Sequence, residues 1–178
     1  MKKILIISGS ARKGGNSDLL ADRFMEGAIE SGHEVEKVFL AQKKIGYCIG
    51  CNYCKKNDGV CAFKDDMGEL LNRMKEADVI VLASPVYYYN INAQMKTFID
   101  RTYASFMEIE NKEFYYILSC ADDGVECIDQ AVQAFRGFAV CLPGSEEKGI
   151  VYGNNAPGHG DIVSSKAMDD AYDMGRNV

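Results

Sequence analysis

The sequence predicts an α/β domain: a doubly wound, five-stranded parallel sheet with helices on both faces. Two observations carry this. The run Asp78-Val79-Ile80-Val81-Leu82-Ala83-Ser84 is apolar on both faces, as a strand central in a parallel sheet must be. Runs of this kind also alternate with helical periodicity along the whole chain, with no internal repeat and no low-complexity linker. A chain of 178 residues with 47% apolar content is large enough to build one domain around a real core.

The elements follow in order. Ile4-Leu5-Ile6-Ile7 is the first buried strand. Leu19, Leu20, Phe24, Met25 and Ala28 then recur at helical spacing up to Ser31-Gly32, where glycine ends the helix. Residues 34–39 alternate weakly and read as a second strand at the sheet edge. Residues 41–65 form a connection too long for a plain loop and carry the first four cysteines, which makes them a cysteine-rich insertion within a single 1–178 domain. Residues 67–77 read as the next helix. The central strand is expected to stop at Pro85, which lacks the N–H that a ladder needs, leaving residues 84–90 as a loop. A helix over 92–103, a strand over 113–119, a helix over 126–138, a short fifth strand over 148–152 and a closing helix over 165–176 complete the pattern.

Composition excludes several classes. A net charge of −6 argues against general affinity for nucleic acid or an anionic membrane surface. No segment approaches the ~20 apolar residues that cross a bilayer, and the N-terminus lacks a signal-peptide pattern, so a cytoplasmic protein is expected. Seven cysteines, an odd number with four packed into residues 48–61, look like thiols kept reduced rather than a disulfide framework. With only His33 and His159 available, catalysis built on imidazole has little material, and no catalytic residue is assigned.

Residues 8–17, Ser-Gly-Ser-Ala-Arg-Lys-Gly-Gly-Asn-Ser, connect the first strand to the first helix and suit an anion. Glycine frees backbone N–H groups, the positive pole of the helix lies at the end of the loop, and Arg12 adds a planar cation suited to phosphate. Asn16 or Ser17 is expected to cap the helix. Gly9 and Gly14 have P-loop spacing, but Gly15 stands where that motif needs lysine, and no Gly-x-Gly-x-x-Gly is present. A single phosphate remains. In a doubly wound sheet this loop meets the loop after the third strand where the strand order reverses, and there Tyr87, Tyr88 and Tyr89 can border a flat heteroaromatic ring. Phosphate and ring together point to flavin mononucleotide, FMN. On the following helix, Lys96 and Asp100 at ion-pair spacing, with Arg101 next, read as a solvated face.

Three stretches together, 9–17, Ser84-Pro85-Val86-Tyr87-Tyr88 and Lys96-Thr97-Phe98-Ile99-Asp100-Arg101, resemble the NAD(P)H-dependent FMN reductase family of flavodoxin-like proteins. The likeness extends to residues 153–162 and the closing helix. It implies that Ser10, Arg12, Asn16 and Ser17 hold the FMN phosphate and that Pro85, Val86, Tyr87 and Tyr88 border the isoalloxazine. A third contact is implied at Ser119, although Asp122 and Asp123 in the same loop depart from the small-residue pattern of the family. The resemblance also implies a homodimer. The expected activity is hydride transfer from NAD(P)H through FMN to a small-molecule acceptor such as a quinone or free flavin; the alternative is an electron-transfer flavoprotein passing electrons between protein partners. A receiver domain of the same fold is disfavoured, because Ser8-Gly9-Ser10 stands where its acid pair would follow the first strand.

Cys48, Cys51, Cys54 and Cys61 have C-x2-C-x2-C-x6-C spacing, which resembles the iron–sulfur flavoproteins of the same broad group. Three readings stand for this segment: a [4Fe-4S] cluster, a redox-sensitive or structural thiol loop, and a zinc site. Cys120, Cys127 and Cys141 are expected to be buried apolar fillers.

Overall fold

Strand β1 (Lys3–Ser8) buries Ile4 through Ile7 completely or nearly so, and it lies between β2 (Glu34–Phe39) and β3 (Val79–Tyr87), parallel to both. The computed structural model describes residues 1–178. Beyond β3 come β5 (Glu113–Ser119) and β6 (Glu146–Gly153), giving the order β2-β1-β3-β5-β6. The order reverses between β1 and β3, as expected from the sequence, and β2 lies at an edge with only Val38 fully buried. Four helices connect the strands, α1 (Asn16–Glu30), α2 (Met67–Glu76), α3 (Ala93–Arg101) and α4 (Glu126–Ala139), and a fifth, α5 (Ala167–Arg176), follows the last strand. No helix is long and apolar enough to cross a membrane.

Alternate residues of the sheet build two cores, because successive strand side chains point to opposite faces. On one face Ile4, Ile6, Val79, Val81 and Ile117 pack with Leu20 and Phe24 of α1 and Ala171 of α5. On the other, Leu5, Ile7, Leu82 and Tyr116 pack with Leu70 of α2, Phe98 of α3 and Phe135 of α4. Each large apolar side chain removed from water contributes roughly 1.5–3 kcal/mol, so β1, β3 and β5, buried on both faces, are the most firmly held strands.

The strand ends differ from expectation at one place that matters. Pro85 does not stop β3: the strand continues to Tyr87, with Pro85 opposite Ser119 of β5. The missing N–H is harmless because β1 has already ended, its last pair with β3 being Ser8 with Ala83. The chain then reverses in a two-residue turn, Tyr88-Tyr89, and pairs back antiparallel through a short strand, β4 (Asn90–Ile91). Both turn residues have positive φ, 51° and 58°, the conformation that a tight hairpin demands and that a bulky side chain adopts only under constraint. The predicted third helix is also shorter, since residues 102–104 form a separate 3-10 turn.

Helices α1 and α5 cross at backbone contact. A β-carbon on Gly175 would lie 2.0 Å from the Phe24 carbonyl oxygen, and one on Gly27 would lie 2.2 Å from that of Tyr172. Neither contact can relax by turning a side chain. Gly175→Ala is therefore expected to lower stability by roughly 1–3 kcal/mol, the ordinary cost of overpacking, and chemical denaturation measures it. A stability equal to wild type would show that the two helices can part freely.

Candidate cofactor site

Between Ser8 and Asn16 the loop curls back on itself. Ser10 Oγ donates to the Arg12 carbonyl at 2.7 Å, and the Gly15 N–H donates to the same oxygen at 3.0 Å. The first amide of α1 to bond backward is Leu19, to Gly15 O, so the N–H groups of Asn16, Ser17 and Asp18 have no intrahelical partner. Ser17 Oγ is buried beside them without a hydrogen-bond partner. An orphaned hydroxyl in the first turn of a helix, next to free amides, fits a phosphate group. The Arg12 side chain is exposed and makes no ion pair.

The expected cap is not present. Gly15 occupies the N-cap position, with no side chain to use, and neither Asn16 nor Ser17 caps the helix. Asn16 reaches instead into residues 156–162: its Nδ2 donates to Ala156 O at 2.9 Å and Gly158 O at 2.8 Å, and its Oδ1 accepts from Gly160 N at 2.9 Å. What Asn16 can offer an anion is its backbone N–H. The same tail brings His159 beside the loop, with its ring 3.9 Å from where a β-carbon of Gly14 would stand.

Asp18, in the first turn of α1, is the buried anchor of the loop and was not singled out by sequence. It accepts from Ser8 Oγ at 2.7 Å, from the Gly14 N–H at 2.9 Å and from Lys37 Nζ at 2.9 Å, and Lys37 also reaches Asp22. Burial disfavours its charge, but the hydrogen bonds from Lys37, Gly14 and Ser8 outweigh that and hold its carboxyl below the usual 3.8.

Across the switch point, Val86, Tyr87, Tyr88, Asn92, Ala93 and Lys96 line an open groove of about 740 Å³. Tyr88 is fully exposed at 101%, with Tyr87 at 46%. Asn92 is buried and binds the two sides together. Its Nδ2 donates to the Gly9 carbonyl, its N–H donates to Ser84 Oγ at 3.1 Å, and its Oδ1 accepts from Met95 N at 3.3 Å as the cap of α3. Gly9 has to be glycine, because a β-carbon would lie 2.9 Å from Asn92 Oδ1 and 3.2 Å from the Ala83 carbonyl. Ser119, buried at the end of β5, stands opposite Pro85 on one side and Gly153 on the other. Ser10, Arg12, Asn16, Ser17, Pro85, Val86, Tyr87, Tyr88 and Ser119 thus all lie on segments that meet the carboxyl end of the sheet.

The cysteine segment lies to one side. Cys48, Cys51, Cys54 and Cys61 line one small pocket, but no three metal-ligating side chains converge at distances that would hold an ion. Arg101 forms its floor. Far from lying on a solvated face, its side chain is 1% exposed and forms a two-pronged pair with Asp65, at 2.7 and 2.9 Å, while also donating to the Gly46 carbonyl at 2.7 Å. Helix α3 thereby fastens both ends of the segment. Lys96 and Asp100 do pair on the exposed face. Of the other three cysteines, Cys120 and Cys127 are buried as expected but joined in a disulfide, because the end of β5 faces the first turn of α4, while Cys141, expected to be buried, is exposed near the end of α4.

A parallel sheet of order β2-β1-β3-β5-β6, with the loops after β1 and β3 meeting where the order reverses, defines a flavodoxin-like domain. The chain belongs to the NADPH-dependent FMN reductase family, whose sequence profile matches residues 2–151. An iron–sulfur flavoprotein of Archaeoglobus fulgidus is 50% identical over 99 residues, which is 56% of this chain and 44% of that one. The chain spans about half the length of the iron–sulfur flavoproteins it matches. A putative NAD(P)H-dependent FMN-containing oxidoreductase of Bacillus subtilis is 25% identical over 170 residues, covering 88% of this chain and 87% of that one. In fold, an FMN-dependent NADH-azoreductase of Bacillus anthracis superposes with a TM-score of 0.76 at 16% identity over 99% of each chain.

The depressed pKa of Asp18 has a definite sign. Its charge contributes stability that is present above the unfolded value and is lost as pH falls through the lower folded value. Asp18→Asn is expected to be less stable than wild type at pH 7, with the difference shrinking as pH falls between about 5 and 2, read from urea midpoints. A constant difference over that range would remove the charge from the account. Asn92→Ala is expected to cost more than a surface change, roughly 1–3 kcal/mol, because it leaves buried polar partners unpaired.

Proposed function

We propose that the protein is an FMN-dependent oxidoreductase that takes hydride from NAD(P)H and delivers electrons to a small acceptor such as a quinone or a free flavin. The observation that carries this reading is the unpartnered Ser17 hydroxyl beside the three free amides of α1, on the loop that Asn92 ties to the tyrosine hairpin. FMN supplies the redox chemistry, accepting a hydride and releasing electrons singly or in pairs.

The chain supplies binding, orientation and access. The amides of Asn16, Ser17 and Asp18, with Ser10 and Ser17 hydroxyls, suit the phosphate, and Arg12 is free to close over it. Pro85, Val86 and Tyr87 offer an edge and backbone groups to a planar ring, and Ser119 closes the far side. The groove is open on its outer face, so a nicotinamide and then an acceptor can approach the same surface in turn. No side chain needs to act as a general acid or base, in keeping with a chain that has two histidines. A second copy of the chain packed over Tyr88 and Tyr89 would explain why two tyrosines stand exposed at a strained turn, and five free thiols fit a cytoplasmic setting.

A second reading is favoured by one feature, the four cysteines around a single pocket. With a [4Fe-4S] cluster held by Cys48, Cys51, Cys54 and Cys61, the protein would carry electrons between protein partners; the Archaeoglobus relative is named as an iron–sulfur flavoprotein.

Protein purified without oxygen is expected to show flavin absorption and to oxidise NADH or NADPH when a quinone is added. Reduction only with a protein electron donor, together with about four irons per chain, would favour the carrier. Arg12→Ala removes one charge-assisted contact, roughly 1.5–3 kcal/mol, and is expected to weaken FMN binding by about tenfold or more in a fluorescence titration while leaving thermal stability unchanged. An unaltered affinity would take Arg12 out of the site.

A further inference from the structure

The Cys120–Cys127 disulfide stands where a covalent bond can act on the cofactor loops. Cys120 follows Ser119 directly, at the carboxyl end of β5, and Cys127 lies in the first turn of α4. The bond therefore clips both ends of the loop 121–126, whose outer residues Ala121, Asp122 and Asp123 are exposed while both cysteines are buried.

That loop is zipped to the tail after β6. The Cys120 N–H donates to Gly153 O at 3.0 Å, the Ala156 N–H donates to Cys120 O at 3.0 Å, and the Asn155 N–H donates to Asp122 O at 2.7 Å. Asn154 Nδ2 adds a bond to Gly124 O at 2.7 Å. From Ala156 the connection runs on to the phosphate loop, because the Ala156 carbonyl accepts from Asn16 Nδ2 at 2.9 Å. Two steps of hydrogen bonding thus separate the disulfide from the first residue of α1.

We propose that Cys120 and Cys127 form a reversible dithiol–disulfide site whose closure orders the tail and, through Asn16, the phosphate loop. The closing step is thiol–disulfide exchange with a small-molecule disulfide. A thiolate of one cysteine attacks that disulfide and releases one small thiol. The second cysteine then attacks the mixed disulfide and releases the other, so two protein thiols lose two protons and two electrons to the small disulfide, which leaves as two thiols. A reducing dithiol reverses it. Exchange is reached through the exposed outer part of the loop, since opening 121–126 uncovers both sulfurs. In the open form the loop is free to leave the tail, and Asn16 loses the fixed carbonyls that hold it.

The part of this inference that concerns cofactor retention rests on the FMN reading; the part that concerns the loops does not. The test uses the full chain equilibrated with oxidised or reduced glutathione, with the Cys120–Cys127 bond assigned by peptide mass spectrometry. Amide hydrogen exchange is then measured without FMN, and FMN affinity is measured separately. Reduction is expected to speed exchange at the Asn155, Ala156 and Gly160 amides and to weaken FMN binding roughly fivefold or more, a coupling of ordinary size for linked sites. In Cys127→Ser, and likewise in Cys120→Ser, the rates are expected to match those of reduced wild type in both buffers. Failure of the bond to form, equal exchange in the two states of wild type, or a glutathione response that survives in both variants would each overturn the proposal. Faster exchange without any FMN affinity in either state would support the clip and refute the FMN reading.

Discussion

The side chain of Asn92 is the interaction on which the site depends. A doubly wound sheet brings the ends of its first and third strands together, but it does not specify how closely the following loops approach. Here one buried amide sets that distance by donating to the Gly9 carbonyl while its own N–H binds Ser84 and its oxygen caps α3. Gly9 permits the contact because it has no β-carbon to obstruct it. The loop after β1 and the hairpin after β3 are therefore tied to each other through one buried side chain.

Two further polar anchors divide the remaining work. Asp18 fixes the inner turn of the phosphate loop and is itself held by Lys37 from the edge strand β2, so the most weakly buried strand contributes electrostatically to the best-buried site. Arg101 serves the cysteine segment in the same way, with its guanidinium spent on Asp65 and the Gly46 carbonyl. Both ion pairs are largely removed from water and each carries several hydrogen bonds, which is the arrangement that makes a buried charge tolerable.

The sequence made the strands legible where burial was two-sided, as in β1 and β3, and it marked β2 as an edge through its weak alternation. It could not reveal β4, because two residues carry no period and Pro85 looks like a stop until the end of β1 is known. The loop segments of the site were legible from glycine, hydroxyl and tyrosine content. The residues that set their geometry were not. Asn92 meets Gly9 across 83 positions, and Asn16 meets Ala156 across 140, so each looks locally like an ordinary polar residue at a helix start. Arg101 was misread because its neighbours Lys96 and Asp100 do face water; one further residue along the helix turns the side chain inward. The pairing of Cys120 with Cys127 was hidden for a similar reason, since spacing alone cannot say that a strand end faces a helix start.

The bond from Asn16 to the tail has a consequence for how the protein is made. Asn16 is synthesised 140 residues before Ala156, the first of its partners in residues 156–160. Until those are synthesised the loop lacks its outer wall, although every strand of the sheet, β6 included, precedes them in the chain. Contacts this distant along the chain form late, after the closure entropy of the intervening segment has been overcome. Completion of the loop's wall is thereby tied to residues 156–160 rather than to the loop's own sequence.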